Sequence, residues 1–180
     1  MKPLLILALA AAAPGQVPVT MKPAGIVTSP EKSNALRQTL MELEGRLDKK
    51  MATTGGADPI YVIGQARAVH VPGFGVVITQ EITPVATPAP NPFHIAPGPQ
   101  QVQQIRQRKL DRLPLVRQTA REMWVEAARS LPTLPEGEHI FIVVRFLYQS
   151  WEDMKGLPAQ IAVHGERKAG LSGDIYLDEQ

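Results

Sequence analysis

The chain has 180 residues, with 19 Lys and Arg against 17 Asp and Glu, 17 prolines and no cysteine. The absence of cysteine excludes disulfides, thiolate zinc sites, iron–sulfur ligation, cysteine nucleophiles and a lipid-modified cysteine anchor. The near balance of charge disfavours a nucleic-acid partner, and a composition of 44% hydrophobic and 20% charged residues is typical of one globular domain.

The first fifteen residues have the layout of a secretory signal peptide. Lys2 supplies a positive charge, residues 4–13 are all apolar, and small residues stand three and one positions before a cut preceding Gln16. A cut after Ala13 also fits the alanine-rich end of the segment. As a helix the apolar run would extend about 15 Å, half the thickness of a bilayer core, so we expect no membrane span after processing. This predicts an exported protein, periplasmic or extracellular.

Residues 16–29 are predicted to form an extended, proline-rich arm, because their scattered prolines disfavour regular structure. Ser29-Pro30-Glu31 then predicts the start of a helix, with serine as N-cap and proline in the first turn. This N-terminal helix is expected over residues 30–50. Its apolar stripe at helical spacing is formed by Leu36, Leu40, Leu43 and Leu47.

A β-hairpin is predicted over residues 60–83, where two stretches rich in β-branched residues flank Pro72-Gly73. That pair suits the two central positions of a type II turn. Alternation in the second strand predicts one buried and one mostly wet face, with Phe74 on the buried side and Gln80 as the one break in its apolar row.

A long helix is expected over residues 99–131, after a proline-rich surface loop at 84–99. Pro114 lies inside this helix and predicts either a kink or two abutting helices. Apolar stretches then predict a central strand covered on both faces at 139–148, a short strand at 159–164 and a weaker one at 174–177.

Together these elements predict an α+β fold in a single domain over residues 30–180. The expected sheet is mostly antiparallel and has four to five strands. It packs against the long Pro-kinked helix and the N-terminal helix.

The sequence contains no recognisable metal or cofactor motif. None of its histidines falls in an HxH, HxxxH or HExxH pattern. The run Gly73-Phe74-Gly75, which begins in the hairpin turn, is similar to the start of a dinucleotide fingerprint, but it opens a strand where the fingerprint requires a helix. We therefore expect no metal and no cofactor, and the sequence designates no catalytic residue. The histidines are His70, His94, His139 and His164.

The segment after the central strand is the candidate site. It places an aromatic pair, two carboxylates and a lysine at a strand exit, where binding residues often lie. We predict a binding patch formed by Tyr148, Trp151, Glu152, Asp153 and Lys155. The alternative is a hydrolase that uses Glu152 or Asp153 together with a histidine brought near by folding.

A second alternative is an anion-binding or lipid-binding face on the long helix, whose residues 106–121 are rich in Lys and Arg. At 100° per residue these side chains do not share one face, so solvated flanks of the apolar stripe are the preferred interpretation. The basic residues are Arg106, Arg108, Lys109, Arg112, Arg117 and Arg121.

Several short motifs resemble those of a group of uncharacterised exported bacterial proteins, over about residues 60–165. They are the runs Gly64-Gln65-Ala66-Arg67-Ala68, Val71-Pro72-Gly73-Phe74-Gly75-Val76-Val77-Ile78, Arg108-Lys109-Leu110-Asp111-Arg112-Leu113-Pro114-Leu115, Ser150-Trp151-Glu152-Asp153 and Gly156-Leu157-Pro158-Ala159-Gln160. The resemblance implies export and a single α/β domain. It implies no activity, cofactor or functional residue.

The function favoured by the sequence is that of a non-enzymatic binding or interaction domain in the periplasm or cell envelope. Its expected partner is a protein or an envelope component. The oligomeric state stays open, although Val77 on the wet face of the hairpin hints that a second copy of the chain covers that face.

Overall fold

The structure is a computed structural model that describes residues 30–87 and 97–180. The predicted signal peptide, the arm and most of the proline-rich loop lie outside the described residues. The elements in chain order are α1 (Pro30–Thr53), β1 (Tyr61–Val62), β2 (Arg67–Val71), β3 (Gly75–Thr83), α2 (Pro99–Ser130), β4 (His139–Phe146), β5 (Gln160–Glu166), α3 (Arg167–Leu171) and β6 (Tyr176–Glu179). The predicted α+β fold class is confirmed.

One six-stranded sheet organises the fold. Strands β3, β4, β5 and β6 are neighbours in that order, and both β1 and β2 pair with the remaining edge of β3. Every pairing is antiparallel except that of β3 with β4, which is parallel. The mostly antiparallel sheet is therefore confirmed. It has one strand more than expected, because the two-residue β1 is too short to leave an alternating pattern in the sequence.

The predicted turn joins β2 and β3. The backbone N–H of Phe74 donates to the carbonyl of Val71 at 3.0 Å, and Gly73 has the positive φ of 78° that a type II turn requires at its third position. The placement of Phe74 on the buried face is wrong, since its side chain is 47% exposed. Strand β3 begins only at Gly75, so the alternation of the strand does not extend back to Phe74.

The core lies between one face of the sheet and the helices α1 and α2. The apolar stripes predicted for both helices are buried there, apart from Leu36, which is only partly buried. Gln80 is buried too, and its side-chain amide donates to Asp48 of α1 at 2.7 Å. The strands contribute every second residue, namely Val76, Ile78, Ile82, Ile140, Ile142, Val144, Phe146, Ile161 and Val163.

Helix α2 is continuous through Pro114. Of the two predicted outcomes, a pair of abutting helices does not form. A proline here removes the hydrogen bond to the carbonyl of Leu110, and burial of the flanking Leu113 and Val116 holds the helix together across the gap. Within the described residues, no helix is long and apolar enough to cross a membrane.

Trp124 of α2 is the largest fully buried side chain of the described residues, and Gly170 makes room for it. Its indole N–H donates to the carbonyl of Ile140 at 2.8 Å, which ties the helix to β4. A Cβ atom at Gly170 would overlap the indole ring, and one at Gly165 would lie 3.5 Å from it. The short helix α3 can therefore pack against α2 only because Gly170, which has no side chain, lies against the indole ring of Trp124.

We expect Gly170→Ala to lower the free energy of unfolding by about 3 kcal/mol, because the added methyl group has to displace the ring of Trp124. The matched control is Gly45→Ala in the exposed middle of α1, where a new Cβ meets nothing within 4 Å. That change should raise the unfolding free energy by about 0.5–1 kcal/mol through helix propensity. Urea denaturation of both variants measures these shifts, and equal effects would contradict the packing of α3 on Trp124.

Candidate functional site

The predicted binding residues lie in the loop between β4 and β5, which folds back onto α2. Glu152 forms an ion pair with Lys109 of α2, and its second oxygen accepts a hydrogen bond from the backbone N–H of Gln149 at 3.2 Å. Both side chains are buried, since Lys109 is 0% and Glu152 is 2% exposed. The two charged groups therefore contact each other inside the protein, where a ligand does not reach them.

Tyr148 completes this internal cluster. The ammonium group of Lys109 lies 4.9 Å from the centre of the Tyr148 ring, at the distance of a cation–π contact. The Tyr148 hydroxyl donates to the carbonyl of Pro158 at 2.6 Å, which ties the two ends of the loop together. Burial, and secondarily the negative charge of Glu152, raise the pKa of the Tyr148 phenol well above its usual value.

The remaining predicted residues lie on the outside of the same loop. Asp153 lies 3.6 Å from the guanidinium of Arg106, which also donates to the carbonyl of Lys155 at 2.7 Å. Trp151 is half-buried, and the side chain of Lys155 is exposed. The structure therefore divides the predicted patch into an internal clamp and an outer rim.

The structure does not bring the described histidines to the loop. His139 is the first residue of β4, and Phe146, the last residue of the strand, lies seven positions and about 23 Å further along. His164 is in register with Phe141, near the same end of the sheet, and His70 pairs with Glu138 at 3.0 Å. These positions leave the carboxylates of the loop without a histidine within hydrogen-bond reach. His94 lies outside the described residues.

The basic residues of α2 are mostly occupied by carboxylates. Arg108 and Arg112 both pair with Asp58, and Arg117 pairs with Glu179 at 2.9 Å. With Arg106 and Lys109, five of the six predicted basic residues have an acidic partner. Because Arg108 and Arg112 share Asp58, four carboxylates balance most of this positive charge within the fold.

Lys109 corrects the interpretation of these residues as solvated flanks of the helix. It precedes the buried Leu113 by four positions and Val116 by seven, so it falls on the apolar stripe itself. The helical spacing of Lys109 from Leu113 and Val116 is visible in the sequence and was the signal that Lys109 is buried. The sequence could not reveal its partner, since Glu152 is 43 positions further along the chain.

The opposite face of the sheet lies outside the predicted binding patch, and Val77 alone hinted that a second copy of the chain covers it. In β2 to β6 the residues that alternate with the buried ones point away from both helices, and we call this surface the open face. Its central row crosses five strands in continuous register and consists of Val69, Val77, Phe141, His164 and Tyr176.

The rings on the open face stack on one another. Phe74 and Phe141 have centroids 5.2 Å apart with planes inclined by 7°, Phe141 and His164 are 5.2 Å apart at 14°, and Tyr176 is 5.5 Å from His164. The ends of this stack are exposed, by 47% at Phe74 and 64% at Tyr176. Val69 beside them is 58% exposed.

The expectation that the central strand is covered on both faces is therefore wrong for the described residues. Strand β4 is central, but its second face carries His139, Phe141 and Val143, which are only half-buried. The apolar run of β4 predicted two covered faces because these residues are partly buried by cross-strand stacking on their neighbours. An apolar residue type does not distinguish burial by a neighbouring strand from burial by a covering helix.

Comparison of the chain with protein family models, with curated proteins and with solved structures finds no match. Within residues 30–87 and 97–180 no group of three or more His, Asp or Glu side chains is arranged to hold a metal ion. The loop clamp, formed by Lys109, Tyr148 and Glu152, is an internal structural contact, which leaves the open face of the sheet as the candidate site.

We expect Lys109→Met to lower the free energy of unfolding by about 3–5 kcal/mol, because it leaves Glu152 charged and buried without its partner. Replacing both residues, as Lys109→Met with Glu152→Leu, should bring stability back to within about 2 kcal/mol of the parent. The control is Lys155→Met in the same loop, whose exposed side chain predicts a change within about 0.5 kcal/mol. Urea denaturation of the four proteins tests the clamp, and a Lys109→Met variant as stable as the control would contradict it.

Tyr148 predicts a specific loss of stability in alkali. The raised pKa keeps its phenol protonated in the folded protein while an unfolded tyrosine ionises near pH 10. The stabilisation is fully present below pH 10 and is lost as pH rises toward the folded-state pKa. Tyr148→Phe should be about 1 kcal/mol less stable than the parent at pH 7, and the difference should shrink above pH 10. A difference that stays constant in urea titrations from pH 7 to 11 would disprove this.

Proposed function

We propose that this chain is an exported, non-enzymatic binding domain that acts in the periplasm or cell envelope and engages a protein through the open face of its sheet. The observation that carries the proposal is the exposed central row of the open face together with the stack of Phe74, Phe141, His164 and Tyr176, over which no described element packs. Export is supported by the apolar segment at the N-terminus and by the resemblance to exported proteins.

The open face has the physical properties of a protein-binding surface. Aromatic side chains bury large areas on contact, and their stacking already fixes their conformations, so little side-chain entropy remains to be lost on binding. Contiguous exposed apolar patches on folded domains commonly mark interaction sites. Exposed Val71 extends the apolar surface from the central row toward Phe74.

The loop clamp supports a structural role for the residues that a hydrolase would need. Glu152 is committed to Lys109 and the backbone of Gln149, and Asp153 to Arg106. A general base has to be within reach of the proton it removes, and the burial of Glu152 keeps substrate away from its carboxylate. The neutralised charges of α2 likewise give little support to anion or lipid binding through that helix.

Site-specific photocrosslinking tests the proposal. A benzoyl-phenylalanine placed at Val69, in full-length protein expressed in an exporting host, should form adducts with protein on irradiation. The control position is Met41 on α1, which is 63% exposed and lies on the helical side of the domain. Mass spectrometry of the same material should show chains that begin at Gln16.

Adducts at Val69 and none at Met41 are the expected result. Equal adducts at the two positions, or none at either, would overturn the open face as the binding surface. Recovery of uncleaved protein from the cytoplasm alone would overturn export and leave the surface to be judged on the adducts.

A further inference from the structure

We infer that the open face binds a second copy of this chain, in a symmetric dimer whose two-fold axis runs along β4. This inference rests on the proposed binding role of the open face and names its partner. The observation behind it is that charge and shape on this face change from one edge strand to the other in a way that a reversed copy complements.

The charge pattern is read along the row next to the central one. It begins with Arg67 on β2, continues through Thr79, Val143 and Ala162, and ends with Asp178 on β6. This row therefore carries a cation at one edge of the sheet and an anion at the other, with small or apolar side chains between them. Such a surface has no single sign of charge that would select a polyanion or a basic partner.

A two-fold axis along β4 exchanges β2 with β6 and β3 with β5, because β4 is the middle strand of these five. Arg67 of each copy then lies opposite Asp178 of the other, which gives two identical charge pairs. Both side chains are largely exposed, Arg67 by 66% and Asp178 by 63%, and each exchanges an intramolecular contact for the new pair, the long Arg67 side chain by turning from α1 to the open face. Their present contacts are to Glu44 at 3.8 Å and to His164 at 2.9 Å.

The same operation matches the central row to itself. Phe141 lies on the axis and meets its own copy, Val77 faces His164, and Val69 faces Tyr176. Large rings thus oppose small aliphatic side chains on both sides of the axis, as the packing of two sheets requires. Arg145 on the axis would meet its own copy, but Glu81 neutralises it at 3.2 Å.

The size of the open face sets the strength of the dimer. Five strands at about 4.8 Å spacing and three rows at about 7 Å spacing give roughly 500 Å² on each copy. The total of about 1,000 Å² is at the lower limit for a specific interface, so we expect a dissociation constant in the micromolar range.

Charge reversal tests the inference with the full processed chain in sedimentation velocity over a concentration series. Arg67→Asp and Asp178→Arg should each weaken dimerisation at least about tenfold, because each creates two like-charge contacts. Mixing these two variants should restore a dimer, since each copy then presents the charge that the other lacks. The double variant should also dimerise. The control is Lys49→Glu on an exposed position of α1, which should leave the dimer unchanged.

A chain that stays monomeric up to millimolar concentration would overturn the inference, and so would a dimer that the single reversals leave intact. Failure of the mixture to associate, with circular dichroism showing both variants folded, would also overturn it. The outcomes distinguish the two proposals. Adducts from Val69 to a different protein would refute the dimer and keep the binding role. The absence of adducts would refute both.

Discussion

Parallel pairing of β3 with β4 requires the chain between them to cross one face of the sheet, and α2 makes that crossing. Helix α1 packs beside α2 on the same side, so the whole apolar core lies between the helices and that one face. Within the described residues nothing of comparable size remains for the other side. The open face is thus a consequence of the connectivity. Because no described helix covers this side of the sheet, its aromatic side chains pack against one another.

Pro114 interrupts the backbone hydrogen bonding of α2 near its middle, so each half of the helix is anchored by contacts in addition to the apolar stripe. The half after Pro114 is held by Trp124 and its bond to Ile140. The half before it is held by the ion pair of Lys109 with Glu152 and by the contacts of Arg106 with the β4–β5 loop. A loop that looked like a site from its residue types therefore serves the helix.

The sequence predicted what depends on local spacing and missed what depends on distant partners. The boundaries of α2, the turn at Pro72-Gly73 and the positions of β4 and β5 followed from periodicity and turn chemistry. The burial of Gln80 was noticed, but its partner Asp48 was not, since nothing in a sequence marks two residues 32 positions apart as neighbours. The same limit hid the partner of Lys109.

The contacts between α1 and the edge strand β2 have a further consequence. The carboxylates of Glu44 and Asp48, one helical turn apart, accept hydrogen bonds from the backbone N–H groups of Ala68 and Ala66, each at 2.7 Å. An unpaired strand edge is a template for adding further strands, and these two side chains occupy two of the backbone donors at the start of this edge.

The register of β3 against β4 joins Gly75 to His139, which are 64 positions apart in the chain. Closing a loop of that length before any of its contacts form makes the sheet slow to assemble, since folding rates fall as contacting residues become more distant in sequence. If export is as proposed, slow assembly of the sheet is an advantage, because the chain has to be unfolded while it crosses the membrane. Under the proposed export, a polypeptide that cannot pair β3 with β4 until residues beyond His139 are present would stay unfolded while it passes through a translocation channel.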